Sequence, residues 1–552
     1  MEPRHRPGWA EKIVHTRLEL GHSYERAKRA YRWCIPEQYN IATDVCDRWA
    51  EDPSRVALIH KTLNGTIRTY RFRDIQKQAN RLANTLEHWG VERGDRVAIA
   101  LPQSPEAAVS HMAIYKIGAI AVPCAVVLGS KALQFRLSHC DVRVLITDRD
   151  GAAKLVSVVE DLPEDMVITV IDAPLEKTRD YHKALAKASD SYSTIKSAAT
   201  DPAFMIYSSG TTGEPKGILH AHQALIGHLP GVEMTHNFLP DEHDLAWTPS
   251  DWAWIGGLGD ILLPFWHHGL PVLAWRPTEF DPEQALRTIP ELQLRNIFVT
   301  PTALRLMQQV SPGSIASIPR LRSVGCGGEP LTDDLVEWSK STFGTEINDS
   351  YGLTECNQVI VNSMAMPPQK RGSIGRAVPG HEIAIIDEDG VELPPGESGI
   401  IGIRRPDPVM FLRYWSDPKM TEQSFLGDWF LTGDLGRREE SGFIFYEGRS
   451  DDLIVSSGYR VDPVEIETCM RSHPSISMVS VFGDPDEIRT QKIRAVVVLE
   501  NGVSPSSSLT DTIQTYVKER LGTHVFPKVI KFADALPVTY SGKVRRVELH
   551  DA

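Results

Sequence analysis

A strand–helix rhythm between residues 72 and 122 constrains the fold more than any other feature of this chain. Ile75, Ala79, Leu82, Leu86 and Trp89 are spaced 4, 3, 4 and 3 residues apart, which puts all five on one helix face. Gly90 follows as a C-cap. Residues 96–101, Arg-Val-Ala-Ile-Ala-Leu, then read as a buried strand. Ser104-Pro105-Glu106 supplies an N-cap, a first-turn proline and a first-turn acid for the next helix, which ends near Gly118 before a strand begins at Ala119. A helix between two apolar strands is a βαβ unit, and its repetition predicts an α/β fold with largely parallel sheets.

The texture changes after about residue 375. Short strands are expected at 382–387, 399–404 and 443–447, separated by Asp389-Gly390, Pro394-Pro395-Gly396 and Ser441-Gly442. This stretch reads as a small β-rich, barrel-like subdomain. From Asp452 an α+β pattern returns, with a strand at 493–499 and a helix from about Leu509 to Leu521. The expected organisation is a large N-terminal domain, 1–450, of two α/β subdomains and the β-rich one, then a small α+β C-terminal domain, 451–552. The boundary falls at Arg449 to Asp452.

A chain of 552 residues has room for this, and 41% hydrophobic with 24% charged residues is ordinary globular composition. The net charge of −13 argues against general nucleic-acid binding, so any polyanion must be held by local cations and backbone N–H groups. The seven cysteines are scattered with no CxxC spacing, which fits a reducing compartment rather than a disulfide framework or zinc site. Residues 1–21 mix acids with Arg, His and Lys, unlike a secretory signal or transit peptide. No apolar run is long enough to span a bilayer. The expected location is the cytoplasm.

The strongest chemical signal is Tyr207-Ser208-Ser209-Gly210-Thr211-Thr212-Gly213-Glu214-Pro215-Lys216-Gly217, which follows the apolar run 203–206. Its glycines let backbone N–H groups approach phosphate oxygens, its hydroxyls add donors and Lys216 adds a point charge. Pro215 stands where a Walker A loop requires Gly. The string resembles the phosphate loop of the adenylate-forming superfamily, in which acyl-CoA synthetases of the acetyl and medium-chain branch fall. Five further strings agree in order: Gly327-Gly328-Glu329-Pro330, Tyr351-Gly352-Leu353-Thr354-Glu355, Thr432-Gly433-Asp434, Gly448-Arg449-Ser450-Asp451-Asp452 with Ser457-Gly458-Tyr459-Arg460, and Ser541-Gly542-Lys543.

The resemblance implies a function and a role for each string. The chain would activate a small carboxylic acid with ATP as acyl-AMP and then pass the acyl group to coenzyme A. Ser208, Ser209, Gly210, Thr211, Thr212, Gly213 and Lys216 would contact phosphates. Tyr351 would stack on adenine opposite Gly328, Glu329 and Pro330. Thr354 would bond at the α-phosphate, and Glu355 would hold Mg²⁺. Asp434 would take the ribose hydroxyls, with Arg449 adding charge nearby. Lys543 is the expected catalytic cation, drawing acid and α-phosphate together. The C-terminal domain would turn about Asp451 to a second state in which Gly458 lines the CoA tunnel and Arg460 braces it.

The acid pocket is expected near residues 247–257, with Trp254 as a wall. Acetyl-CoA synthetases carry a Trp where Gly352 stands, so an open floor and an acid larger than acetate are expected: medium-chain, branched or cyclic. Asp251 could instead hold an amino acid's ammonium, but no carrier domain follows Lys543. Cys326 and Cys356 are read as small pocket-lining residues. The spacing of Pro537 to Gly542-Lys543 resembles a context read by protein acetyltransferases, and acetylation would remove the Lys543 charge. The other readings are an adenylating enzyme that loads a carrier protein, a luciferase-like oxygenase and a catalytically silent adenylate-binding protein. Oligomeric state has no signal in the sequence.

Overall fold

Four of the five residues of the expected stripe, Ile75, Ala79, Leu82 and Leu86, form the buried face of the helix Phe72–His88, and Trp89 is its half-buried C-cap. Asp74 accepts from the Arg71 backbone N–H at its start, and Gly90 at φ +85° lets Val91 N–H return to Leu86 at its end. Ser104 caps the next helix, Pro105–Lys116, by accepting from Ala107 N–H. That helix is buried all round, between the strands Arg96–Ala100 and Ile120–Pro123 that it connects.

These elements belong to a computed structural model that describes Leu18 and residues 23–208, 215–277, 279–311, 317–449, 454–456, 459–461, 463–486, 490–521, 526–537, 544 and 549. The chain divides into two units, residues 1–382 with 405–423, and residues 383–404 with 424–552.

The first unit contains two large sheets. One has eight strands in the order Arg413–Tyr414, Lys216–Ala221, Pro202–Ser208, Ile120–Pro123, Arg96–Ala100, Val142–Thr147, Val167–Val170 and Arg179–Asp180. It is parallel from Pro202–Ser208 onward, and its first three strands are antiparallel to one another. The other has nine strands: Arg376–Ala377, Asn357–Asn362, Ile347–Leu353, Ser323–Gly327, Asn296–Val299, Ala246–Trp247, Val272–Ala274, Val56–Lys61 and Ile67–Arg71. Its middle is parallel and its ends are closed by antiparallel strands. The largest core draws Val97, Ala121 and Phe204 from the first sheet and Ala57, Val272 and Phe298 from the second, with helix residues such as Leu82, Met112 and Leu229 between.

The second unit opens with the expected β-rich stretch: Ile383–Ile386, Ser398–Arg404, Phe425–Leu426, Trp429–Arg438 and Ile444–Arg449 form one antiparallel sheet. The α+β pattern follows as a second sheet with the helices Pro463–Arg471 and Ser507–Leu521 on a core of Ile466, Val481, Ala495 and Ile513. The α/β class is as the sequence predicts. All seven cysteines are free thiols. Among the described residues no helix is long and apolar enough to cross a membrane.

Candidate active site

The apolar run before the phosphate-type string is the strand Pro202–Ser208, which turns back as Lys216–Ala221 with Ser208 opposite Lys216. Ser208 and Lys216 therefore flank the loop on adjacent strands. Ser209, Gly210, Thr211, Thr212 and Gly213 lie outside the described residues. Gly217 is required by close packing: a Cβ there would sit 2.7 Å from the Met205 sulfur and 3.2 Å from the Tyr207 ring. The Lys216 ammonium stands 5.9 Å from the centre of the Tyr414 ring, which the adjoining strand Arg413–Tyr414 supplies.

Tyr414 was not singled out by the sequence, yet its hydroxyl donates to Glu355 Oε1 at 2.7 Å. Phe411 N–H donates to the Glu355 backbone carbonyl at 2.8 Å. Glu355 is thus positioned by a segment more than fifty residues further along the chain, and the same tyrosine connects it to Lys216. A half-buried carboxylate and a lysine that share one tyrosine fit a site for polyphosphate and a hard divalent cation.

Tyr351 lies on the strand Ile347–Leu353, which runs parallel to Ser323–Gly327 with Ser350 opposite Gly327. Just beyond Gly327, Gly328 adopts φ +87°, a conformation that a side chain would strain. Glu329 anchors this turn: its carboxylate accepts from Thr302 Oγ1 at 3.0 and 2.7 Å and pairs with Arg305 at 3.6 Å. The sequence reading also missed Asp349, two residues before Tyr351 and so on the same strand face. Desolvation pushes its carboxyl well above the usual range, against the pull of the Ser350 backbone N–H. Thr354 is half-buried in the turn that leads to Glu355.

On the acid side, Trp254 starts the helical stretch 255–267. Its ring folds back over Gly256, where a Cβ would be 2.5 Å away, and reaches within 3.5 Å of the Cβ position at Gly328. Trp254 therefore connects the expected acid pocket to the adenine-side loop. Asp251 is otherwise engaged: it accepts from Ala253 N–H at 3.2 Å and faces Arg276 at 3.9 Å. Cys326 and Cys356 are buried, and burial holds both thiols well above the ordinary cysteine range, away from thiolate chemistry.

Gly352 requires a correction. A Cβ there would stand 1.6 Å from the Asn357 carbonyl oxygen and 2.2 Å from its carbon. The strand bulges between Tyr351 and Gly352, and Asn357 itself sits at φ +37°. The direction that a side chain would take is filled by the backbone of the facing strand, so no open floor lies at this position.

In the second unit, Asp434 and Arg449 face each other across adjacent antiparallel strands. Arg449 Nη1 is 3.3 Å from Asp434 Oδ1, and Gly433 at φ +74° turns the chain so that Arg449 Nη2 lies 3.0 Å from its Cβ position. Asp434 is buried, so its carboxylate is held facing the guanidinium. Asp451, Gly458 and Lys543 lie outside the described residues. The Arg460 backbone lies in the strand Tyr459–Val461 opposite Val455.

Residues 46–415 match the AMP-binding enzyme family, and residues 465–543 match the AMP-binding enzyme C-terminal domain. The acetyl-coenzyme A synthetase of Bacillus subtilis is 32% identical over 546 residues, covering 95% of this chain and 94% of that protein. YtcI, an uncharacterised acyl–CoA ligase of the same organism, is 31% identical and covers 93% and 96%. The human mitochondrial acyl-coenzyme A synthetase ACSM3 is 30% identical and covers 96% and 92%. Among solved structures, the anthranilate CoA ligase AuaEII in complex with anthranoyl-AMP superposes with a TM-score of 0.83 at 28% identity, covering 94% of this chain and 98% of that one. ATP-bound MatB from Rhodopseudomonas palustris gives 0.81 at 26%, covering 93% and 98%. With a family match over most of its length, and relatives of this kind covering nearly all of it, the chain belongs to the AMP-binding enzyme family and is an AMP-forming acyl-CoA synthetase that uses ATP and coenzyme A.

Proposed function

We propose that this ligase activates a carboxylic acid larger than acetate, medium-chain, branched or cyclic, with ATP as its magnesium complex. The observation that carries the nucleotide half is the Lys216–Tyr414–Glu355 grouping, whose Glu355 lies in the turn that follows the strand of Tyr351. In this reading Tyr351 stacks on adenine, Asp349 accepts its exocyclic amine and Thr354 bonds at the α-phosphate. The loop 208–213 and Lys216 hold phosphates, and Glu355 supplies the one carboxylate that a phosphate-bound Mg²⁺ needs. Asp434 and Arg449 address the ribose. Domain 1–450 carries these groups, and domain 451–552 brings Lys543 for adenylation, then Gly458 and Arg460 for CoA.

For acid size, the support is the likeness to the mitochondrial acyl-coenzyme A synthetase ACSM3 and to the anthranilate CoA ligase AuaEII, since the space at Gly352 is taken up by backbone. Acetylation of Lys543 by a protein acetyltransferase would silence the first half-reaction and spare the second. Mass spectrometry after incubation with such an enzyme tests this, and an unmodified Lys543 refutes it.

The main test is AMP formation with and without CoA on acetate, butyrate, isobutyrate, octanoate and benzoate. CoA-dependent turnover peaking above acetate is expected. A peak at acetate refutes the size assignment, and pyrophosphate release without CoA acceptance favours an enzyme that loads a carrier protein.

A further inference from the structure

The adenine-side turn is held from two directions, and the second involves residues that the reaction steps do not otherwise use. On the near side, Ser350, the neighbour of Tyr351, donates its hydroxyl to the Cys326 carbonyl at 2.8 Å. Gly327 makes room for this, since a Cβ there would stand 2.7 Å from both Ser350 oxygens. On the far side stands the helix Pro301–Gln308, which follows the strand Asn296–Val299. Thr300 caps it by accepting from Ala303 N–H at 3.3 Å. Thr302 and Arg305, three residues apart, share one face of this helix.

That face meets Glu329. A threonine hydroxyl has one proton, and Arg305 Nη1 donates to the Thr302 oxygen at 3.3 Å, so the Thr302 proton is left for the Glu329 carboxylate. The two carboxylate oxygens lie 3.0 and 2.7 Å from Thr302 Oγ1, and Arg305 brings its charge to 3.6 Å from Oε2. Hydrogen bonds of this charge-assisted kind are the stronger ones. Glu329 is half-buried, while Gly328 and Pro330 on either side are exposed. Its side chain is therefore turned in to the helix, and the turn presents backbone outward. From the acid side Trp254 comes within 3.5 Å of the Cβ position at Gly328, so a turn that drifted would lose its place against both Tyr351 and Trp254.

We propose that Thr302 and Arg305 are positioning residues for ATP. They hold the Glu329 carboxylate, and through it they fix the exposed backbone of residues 328–330 at the distance from Tyr351 that adenine requires. Glu329 then acts as the anchor of the turn and not as a nucleotide ligand. This rests on the placement of adenine between Tyr351 and the turn, and it names what keeps that slot at its width.

Calorimetric titration of ATP with Mg²⁺ into the full-length protein tests this without an acid or CoA. Thr302→Val keeps the shape of the side chain and removes the proton that Glu329 receives. Its Kd for ATP is expected to rise about tenfold, as loss of a hydrogen bond to a charged group would give, whereas Thr302→Ser restores the hydroxyl and is expected to stay within about twofold of wild type. Arg305→Leu, at a side chain 29% exposed, leaves the fold intact and is expected to raise the Kd by less than T302V does. Residues that served the fold alone would lower the urea midpoint and the fraction of protein that binds, with the Kd of the folded fraction unchanged. A wild-type Kd in T302V or in R305L, or a T302S protein weakened as much as T302V, overturns the proposal. Tyr351→Leu separates it from the reading beneath it. Weak ATP binding in Y351L with a wild-type Kd in T302V removes the anchor alone, and a wild-type Kd in Y351L removes adenine from this turn and the anchor's role with it.

Discussion

Replacing Gly352 by Ala distinguishes a tightly packed hairpin from an empty floor. The added methyl would begin 1.6 Å from the Asn357 oxygen, against a closest tolerable approach of 3.0 Å, so the facing strand must retreat by roughly 1.4 Å. That retreat pulls on the 2.5 Å bond from Asn357 to Asp260, and on Glu355, held two residues away by Tyr414 and the Phe411 N–H. Overpacking of this kind costs about 1–3 kcal/mol. Loss of a buried hydrogen bond adds about 1–3 kcal/mol. G352A is therefore expected to lose roughly 2–6 kcal/mol of stability and about a hundredfold in adenylation of every acid, large or small. Urea unfolding reads the first and hydroxamate trapping across the acid panel the second. A G352A protein with wild-type stability, its preference merely shifted toward acetate, would refute the reasoning and restore the open floor.

Three other consequences follow from the same geometry. Tyr414→Phe removes a hydroxyl that donates to the Glu355 carboxylate, an interaction worth about 1.5–3 kcal/mol, and should lower adenylation at least about tenfold without changing thioester formation from supplied acyl-AMP; an equal loss in both half-reactions counts against a role at the phosphates. Arg449→Leu leaves the buried Asp434 facing no guanidinium; because Arg449 is itself about a third exposed, the stability loss should be only about 1 kcal/mol, while the KM for ATP rises several-fold, and an unchanged KM excludes the pair from nucleotide binding. The Asp260 carboxyl is raised in the folded state, so it holds a proton that the unfolded chain releases near pH 4. Its contribution is complete below that pH and is lost as pH rises through about 8. Wild-type stability should fall relative to D260N over this window, and parallel urea midpoints for the two proteins would refute the shift.

What was legible in the sequence is local or in strict order. The helix Phe72–His88 follows from residues three and four apart, and its Gly90 cap lies next in the chain. Ser104 caps a residue three positions on. The ordered motifs made the family legible, because each keeps its own string of adjacent residues. Tyr414 was not legible: it reaches Glu355 across 59 residues, and a Tyr beside Trp415 in a largely apolar stretch reads as packing. Asp260 and Asn357 are 97 residues apart, and neither their bond nor their burial has any periodic signature.

Gly352 shows how such a reading goes wrong. A glycine where the resemblance to acetyl-CoA synthetases implies a large ring subtracts an indole from the sequence, and subtraction suggests space. In an antiparallel pair with a bulge, however, a missing side chain is also the condition for another backbone to approach closely. Here the Asn357 carbonyl takes up that approach, and the same residue's amide reaches the other way to Asp260. At Gly352 the direction of a side chain is therefore occupied by backbone. On this geometry, whatever room an acid finds in this chain does not come from the missing side chain at Gly352.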